Sequence, residues 1–153
     1  MINVHNYVDA KKIISDTFNN SLPELKIYED YFYFIDSTMI RIWLKNKQNV
    51  KLLKSIFLEN LGNYIESETS TFEYLDNFTP EYGDLIFLLK PHTVYYPDYY
   101  NISKVKGMHG YLNHYHDQHG VMFHLSSDEN LNLKFIKSLE LSELNSYIYN
   151  LFK

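Results

Sequence analysis

Residues 83–91, GDLIFLLKP, decide the fold class of this chain. A glycine and an aspartate precede a continuous apolar run, and Pro91 ends it. A short run that is apolar at every position is typical of a strand buried on both faces, as in a parallel sheet covered by helices. The segment HTVYYP that follows is expected to pair beside this strand. The sequence therefore predicts a sheet with helices packed on it.

Two amphipathic helices are predicted before this strand, at residues 9–19 and 47–61. Asp9 is a suitable N-cap for the first helix, and Gly62 follows the second helix as a C-cap. The second helix carries the more regular apolar stripe, with residues three and four positions apart: Val50, Leu53, Phe57 and Leu61.

Strands are predicted between these helices and also after them. Residues 24–45 contain two β-rich runs (24–29 and 31–36) and the alternating segment MIRIWLK (39–45). Further on, the sequence predicts a short strand at 63–68, a short helix at 70–78, a buried strand at 120–125 and a closing helix within 138–153. The fold class expected from this mixture is α/β, with α+β as the alternative.

Composition excludes several classes of partner. The 153 residues carry a net charge of −5, and no cluster of basic residues is dense enough to neutralise a nucleic-acid backbone. The chain has no cysteine, and its apolar runs fall far short of the ~20 residues that a membrane helix needs. The N-terminus lacks the pattern of a signal peptide. We therefore expect a cytoplasmic protein that binds neither a nucleic-acid polymer nor a membrane.

Five of the seven histidines lie within residues 107–124, GMHGYLNHYHDQHGVMFH. Histidine is a common zinc ligand, but these histidines show no H-x-x-x-H or H-E-x-x-H pattern. The glycines of the segment indicate a loop. His109 stands out because Gly107 and Gly110 allow the backbone to turn sharply beside it. His5 and His92, the other two histidines, lie outside this segment.

Three segments of the chain together resemble the alkaline phosphatase superfamily. GMHGY (107–111), followed by DQHGVMF, resembles the C-terminal G-x-H-G-Y signature of its nucleotide pyrophosphatase/phosphodiesterase-like branch. GDLIFLLKP resembles the strand and loop that precede this signature, although KPH stands where Lys-Pro-Gly is usual. DSTMIRIW (36–43) is similar to a segment of one bacterial subgroup. The resemblance covers roughly residues 30–150.

The resemblance implies the C-terminal portion of a phosphoesterase with two zinc ions and a phosphate-ester substrate. It implies that His109 is a zinc ligand and that Tyr111 shapes the loop beside it. His119 is a secondary candidate, for which a structural role in the turn before residues 120–125 is favoured over zinc binding. The family's D-H-G motif, its D-x-x-x-H pair and its nucleophile have no counterpart in this sequence. We therefore expect no catalytic residue here and a partner chain or segment that supplies the missing ligands.

The family's order of elements also implies a domain organisation. Residues 1–78 would form an α/β insertion, and residues 79–153 would form the C-terminal element of the main sheet with the GMHGY loop and the closing helix. The two parts are expected to make one compact unit.

The remaining candidates are assigned structural roles. Among the polar residues of the 36–43 segment, a fold-stabilising role is favoured over phosphate binding for Asp36, Thr38 and Arg41. His114 and His116 are expected at the surface, and His124 is expected to pack within a strand.

Two other functions remain open at this stage. The first is a stand-alone module, without catalytic activity, that binds a metal or another protein. The second is a self-contained enzyme that uses His109, His114, His116 and Asp117 as its own site.

Overall fold

The computed structural model describes residues 1–66, 80–112, 115–121 and 139–151. Helices and strands are mixed along these residues, which confirms the predicted mixed α and β class. The helices are α1 (Ala10–Ser21), α2 (Val50–Leu61) and α3 (Leu144–Leu151). The strands are β1 (Ile2–Asn3), β2 (Asn6–Val8), β3 (Tyr31–Ile35), β4 (Met39–Leu44), β5 (Leu85–Leu88), β6 (Thr93–Tyr95) and β7 (Gly107–Met108).

The chain divides into two compact units, Met1–His119 and Gly120–Lys153. Strands β1 to β7 and helices α1 and α2 belong to the first unit, and α3 belongs to the second. The division into residues 1–78 and 79–153 that the resemblance implies stays a prediction. No helix in the described part of the chain has both the length and the apolar character to cross a membrane.

The strands of the first unit form three small sheets. Strands β3, β4 and β5 make an antiparallel sheet in that order, and a tight turn at Asp36–Met39 joins β3 to β4. Strand β2 pairs in parallel with β6, and β1 pairs antiparallel with β7. Both of these pairings join the first eight residues to segments near residue 100.

One face of the three-stranded sheet packs against both helices of the first unit. Ile14 and Phe18 of α1, Leu53 and Phe57 of α2, and the inner side chains of all three strands belong to one buried cluster. Aromatic rings make two of the contacts: Phe18 stacks on Tyr31 at 3.7 Å between centroids, and Phe57 lies 5.3 Å from Phe87. This packing follows from the alternation of β4, in which every second residue is buried.

Both predicted helices are confirmed, and their ends behave as local chemistry dictates. The Asp9 carboxylate accepts a hydrogen bond from the backbone N–H of Lys12 and so caps α1. The second helix begins as a 3₁₀ turn at Lys47–Asn49 before the α-helix proper. Gly62 is its C-cap, with right-handed rather than left-handed backbone angles. The closing helix lies within its predicted range, as a 3₁₀ turn at Leu141–Glu143 followed by α3.

Three strand predictions were wrong. Residues 24–29 form turns with one isolated bridge, Ile27 to Tyr31, because the chain reverses at Tyr28, which has a positive φ of 68°. Strand β5 is buried as predicted, but it pairs antiparallel with β4 and not within a parallel sheet. Residues 93–95 pair with β2 instead of β5.

Several predictions fall wholly or partly beyond the described residues. The helix at 70–78, the positions of His114 and His124, and most of the strand at 120–125 lie outside them. Of the strand predicted at 63–68, Ile65 makes an isolated bridge to Leu89, and the described part ends at Glu66.

Candidate functional site

His109 lies in the loop that follows β7, and its side chain is exposed. Strand β7 brings the loop to the N-terminal segment, because Met108 pairs with Ile2. Neither ring nitrogen of His109 has a hydrogen-bond partner among the residues that the structure describes. The next residue, Gly110, has a φ of +89°, a value that side chains rarely tolerate. A histidine ring with unpaired nitrogens on a sharply turned loop is a suitable single ligand for a metal ion.

Hydrogen bonds hold the His109 loop from two sides. The Gln118 Oε1 atom accepts from the backbone N–H of Gly110 at 2.8 Å and from that of Tyr111 at 3.1 Å. The Thr38 hydroxyl donates to the Gly110 carbonyl at 2.9 Å. These bonds satisfy three polar backbone groups immediately beyond His109, so the loop has a defined conformation although its histidine is exposed.

Tyr111 connects the same loop to strand β6. Its ring is buried, and its hydroxyl donates to the Thr93 carbonyl of β6 at 2.9 Å. Burial raises the pKa of the Tyr111 hydroxyl to about 12, so the group stays a neutral donor throughout the physiological range. Tyr111 therefore connects the His109 loop to β6.

Thr38 connects three segments that are far apart in the sequence. Its hydroxyl binds the His109 loop, and its carbonyl accepts from the backbone N–H of Leu89 at 2.9 Å, directly after β5. Thr38 itself is buried, immediately before β4. The segments around residues 36–43, 83–91 and 107–111 thus meet at one threonine.

Asp98 is the centre of a buried polar cluster beside Thr38. Its carboxylate accepts from the Ser37 hydroxyl at 2.6 Å, from the Asn101 side chain, and from the backbone N–H groups of Tyr100 and Asn101. Burial raises the pKa of Asp98, but these hydrogen bonds lower it by more, and the net shift is downward. Sequence reasoning missed this cluster, because Ser37 and Asp98 are 61 residues apart and no motif links them.

His116 and His119 lie at the ends of a short 3₁₀ turn and are both exposed. The backbone N–H of His119 donates to the His116 carbonyl at 3.0 Å, and their rings are 5.1 Å apart. The backbone of His119 therefore takes part in the turn, and His116 lies at the surface as expected. The preference for a structural role of His119 over zinc binding stays a prediction. The turn also places Gln118, which the sequence analysis did not single out, against the His109 loop.

His92 and His5, which lie outside the histidine-rich segment of the sequence, contact each other in the structure. Their rings stack at 5.3 Å with an angle of 18° between them, and His92 Nδ1 lies 2.8 Å from the Asn3 carbonyl. His92 has a φ of 68°, a left-handed backbone conformation that favours glycine.

A surface pocket of about 340 Å³ lies beside His92 and His116. Its lining residues are Ile2, Pro91, His92, Tyr115, His116 and Asp117. The Tyr115 hydroxyl donates to the Glu66 carboxylate, and burial together with that carboxylate raises the pKa of Tyr115 to about 12. His109 is not part of this pocket. Among the described residues, no three histidine, aspartate or glutamate side chains are grouped so that they could hold a metal ion.

Comparisons with known proteins name no relative. No protein-family model matches the chain, and no curated protein or solved structure shows significant similarity to it.

Proposed function

We propose that this chain is the C-terminal portion of a metal-dependent phosphoesterase of the alkaline phosphatase superfamily. In this proposal it contributes one zinc ligand, His109, to a site that is completed by residues of a partner chain or segment. We also propose that the chain forms the C-terminal part of the main sheet of that fold, and that the complete enzyme acts on a phosphate ester. The chain by itself would not be catalytically complete.

One observation carries the proposal: the three segments on which the resemblance rests meet at Thr38. Its hydroxyl binds the loop of the G-x-H-G-Y segment, its carbonyl binds the end of the β5 segment, and Thr38 belongs to the third segment itself. If the three short patterns matched the family by chance, contacts among all three segments would not be expected. The exposed His109 ring, with neither nitrogen engaged by the described residues, further supports its assignment as a ligand.

The residues of this chain would act by positioning. Gln118, Thr38 and Tyr111 hold the backbone of the loop that carries His109. A neutral imidazole nitrogen is a ligand that zinc prefers, and a pair of zinc ions stabilises the attacking and leaving oxygens of a phosphoryl displacement. The nucleophile of that reaction would come from outside this chain.

A zinc titration followed by NMR signals of the histidine rings tests this proposal. We expect weak binding that shifts the His109 signals and is lost in His109→Ala, while His116→Ala, a matched exposed histidine, leaves those shifts in place. Purified chain should hydrolyse a phosphodiester such as bis(p-nitrophenyl) phosphate no faster than buffer. Rapid hydrolysis by the pure chain, or zinc bound at His116 and His119 with His109 unaffected, would contradict the proposal.

A second candidate is a stand-alone binding module without catalytic activity. The unit Met1–His119 favours it, because this unit has a continuous buried core of its own. A monomer that unfolds cooperatively and binds zinc tightly through His109 would support this candidate over the first.

A further inference from the structure

The three-stranded sheet has a second face, turned away from the helices, that carries aromatic side chains and an arginine. Phe34 and Arg41 are cross-strand partners, and Phe32 and Trp43 form the next pair. Since side chains alternate along a strand, these four lie on the face opposite the buried core. We call them the outer aromatic face.

Arg41 is the chemically distinctive member of this face. Its guanidinium carbon lies 5.1 Å from the centre of the Phe34 ring and 5.7 Å from that of Trp43, within the range of cation–π attraction. Its Nε atom is buried and has no hydrogen-bond partner in the described part of the chain. Because Nε is buried, a ligand on this face would meet the terminal Nη groups of the guanidinium and not Nε.

The amino-acid composition also distinguishes Arg41. Arg41 is the single arginine among the 14 basic residues of the chain. Arginine differs from lysine in its planar fork of donors, which matches the two oxygens of a carboxylate or phosphate and also stacks on aromatic rings. The chain therefore has this fork at one place, between two aromatic rings.

The rings around Arg41 form a continuous and partly exposed surface. Phe32 is 43% exposed and lies 5.3 Å from Trp43, and Tyr99, which is 74% exposed, lies 5.3 Å from Phe34. The Trp43 Nε1 atom donates to the Glu81 carbonyl at 2.9 Å, which fixes the indole. Such rings offer apolar surface on which a planar group can stack.

We propose that the outer aromatic face binds a small ligand that carries an oxyanion on a planar ring. The oxyanion, a carboxylate or a phosphate, would accept from the terminal Nη groups of the Arg41 guanidinium, and the ring would stack on the exposed aromatic side chains. Because the chain has a net charge of −5, non-specific accumulation of anions does not provide such binding. This site does not involve His109 and does not depend on the function proposed above.

Trp43 makes the proposal directly measurable, because it is the chain's single tryptophan. The full chain is titrated with phenyl phosphate and, separately, with benzoate, while the fluorescence of Trp43 is followed. We expect a saturable change with at least one of them, at concentrations up to the millimolar range. Inorganic phosphate, which lacks the ring, and benzyl alcohol, which lacks the charge, should bind at least about tenfold more weakly. Comparison of the two anions identifies whether the phosphate or the carboxylate is preferred.

Variants show whether the signal comes from this face. Arg41→Met keeps the length of the side chain and should weaken binding about tenfold or more, and Arg41→Lys should weaken it as well, since lysine keeps the charge but lacks the fork. Lys51→Met removes a positive charge from the exposed surface of α2 and should leave binding unchanged. His109→Ala should also leave it unchanged, which separates this site from the candidate metal ligand.

The proposal is overturned if neither anion binds, as measured by fluorescence and by calorimetry. It is equally overturned if binding survives in both Arg41 variants, or if His109→Ala abolishes it. If Arg41→Met does not fold, Arg41→Lys and Phe34→Leu decide the question by the same titration.

Discussion

His92 adopts backbone angles that favour glycine, and its side chain offsets part of that cost. A left-handed conformation costs a residue with a Cβ about 1–2 kcal/mol. Here the ring bonds to the Asn3 carbonyl and stacks on His5, while the His92 carbonyl accepts from the backbone N–H groups of His5 and Asn6. The turn before β6 is thus held by the N-terminal segment.

This feature predicts an unusual order of stability for two variants. His92→Ala keeps the strain and loses the side-chain contacts, whereas His92→Gly removes the strain. We expect His92→Gly to be more stable than His92→Ala by about 1 kcal/mol. Urea unfolding measures both. At Ser55, an exposed residue in the middle of α2, the order should reverse, with Gly less stable than Ala by about 1 kcal/mol. The same order at both positions would contradict the strain at His92.

Asp98 predicts a dependence of stability on pH. Because its pKa is lowered in the folded chain, its contribution is present above the unfolded pKa of about 3.9 and is lost as the pH falls through the folded value. Asp98→Asn should lower the free energy of unfolding by about 1–3 kcal/mol at pH 7, since several donors lose a charged acceptor. The difference from the unmodified chain should shrink when unfolding is measured near pH 3.

Asp117→Asn is the control for this measurement. Asp117 is an exposed aspartate, so the substitution should change stability by less than about 0.5 kcal/mol at either pH. A cost of Asp98→Asn that is the same at pH 7 and pH 3 would be inconsistent with a lowered pKa.

At the scale of elements, the His109 loop depends on a side chain from the following turn. Gln118→Ala removes the amide oxygen that accepts from the Gly110 and Tyr111 N–H groups. Gln118→Glu replaces this oxygen with a carboxylate oxygen, which can also accept. We expect these two amides to exchange with deuterium about tenfold faster in Gln118→Ala than in the unmodified chain, and to stay protected in Gln118→Glu. Equal protection in all three chains would show that the loop is held without Gln118.

Helix α2 offers a matched pair for its contribution to the core. Leu53 is fully buried and its neighbour Leu52 is 47% exposed. Leu53→Ala should cost about 2–5 kcal/mol through lost burial and the cavity left behind, and Leu52→Ala less than about 1 kcal/mol. Thermal or urea unfolding compares them. If the two substitutions lowered the free energy of unfolding by similar amounts, the assignment of Leu53 to the buried face of α2 and of Leu52 to the exposed face would be contradicted.

The helices could be predicted from sequence because their signals are local. The Asp9 cap lies three residues from the N–H that it binds, and the stripe of α2 repeats within four residues. The partners of strands are not local: an apolar run such as that of β5 shows burial but not which strand lies beside it, so its antiparallel pairing with β4 was missed. Residues 24–29 have strand-forming side chains, but the turn at Tyr28 overrides that preference.

The candidate site was predictable to a similar degree. The glycines beside His109 marked its loop, and the motif drew attention to Tyr111 and to His119. The residues that hold the loop, Thr38 and Gln118, act through hydrogen bonds whose partners depend on the tertiary fold, and residue spacing does not contain that information.

At the scale of the whole molecule, the first unit should fold without the second. Among the residues that the structure describes, every member of the buried cluster lies between Val8 and Tyr95. A chain that ends at His119 should therefore unfold cooperatively, with a midpoint within a few degrees of the full chain, as measured by circular dichroism. A chain that ends at Tyr82 lacks β5 and β6 and should not fold. Gradual, non-cooperative melting of the 1–119 chain would show that the second unit is required.

The pairing of the first eight residues with segments near residue 100 also has a kinetic consequence. Asn6 and Thr93 bond across 87 residues of sequence, and long loops of this kind slow folding. At roughly 5–20 residues per second, a ribosome needs several seconds to add the partner strands after β1 and β2 have been made. Strands β1 and β2 therefore stay unpaired during that time. The pairing of β1 with β7, which directly precedes His109, is among the last to form during synthesis.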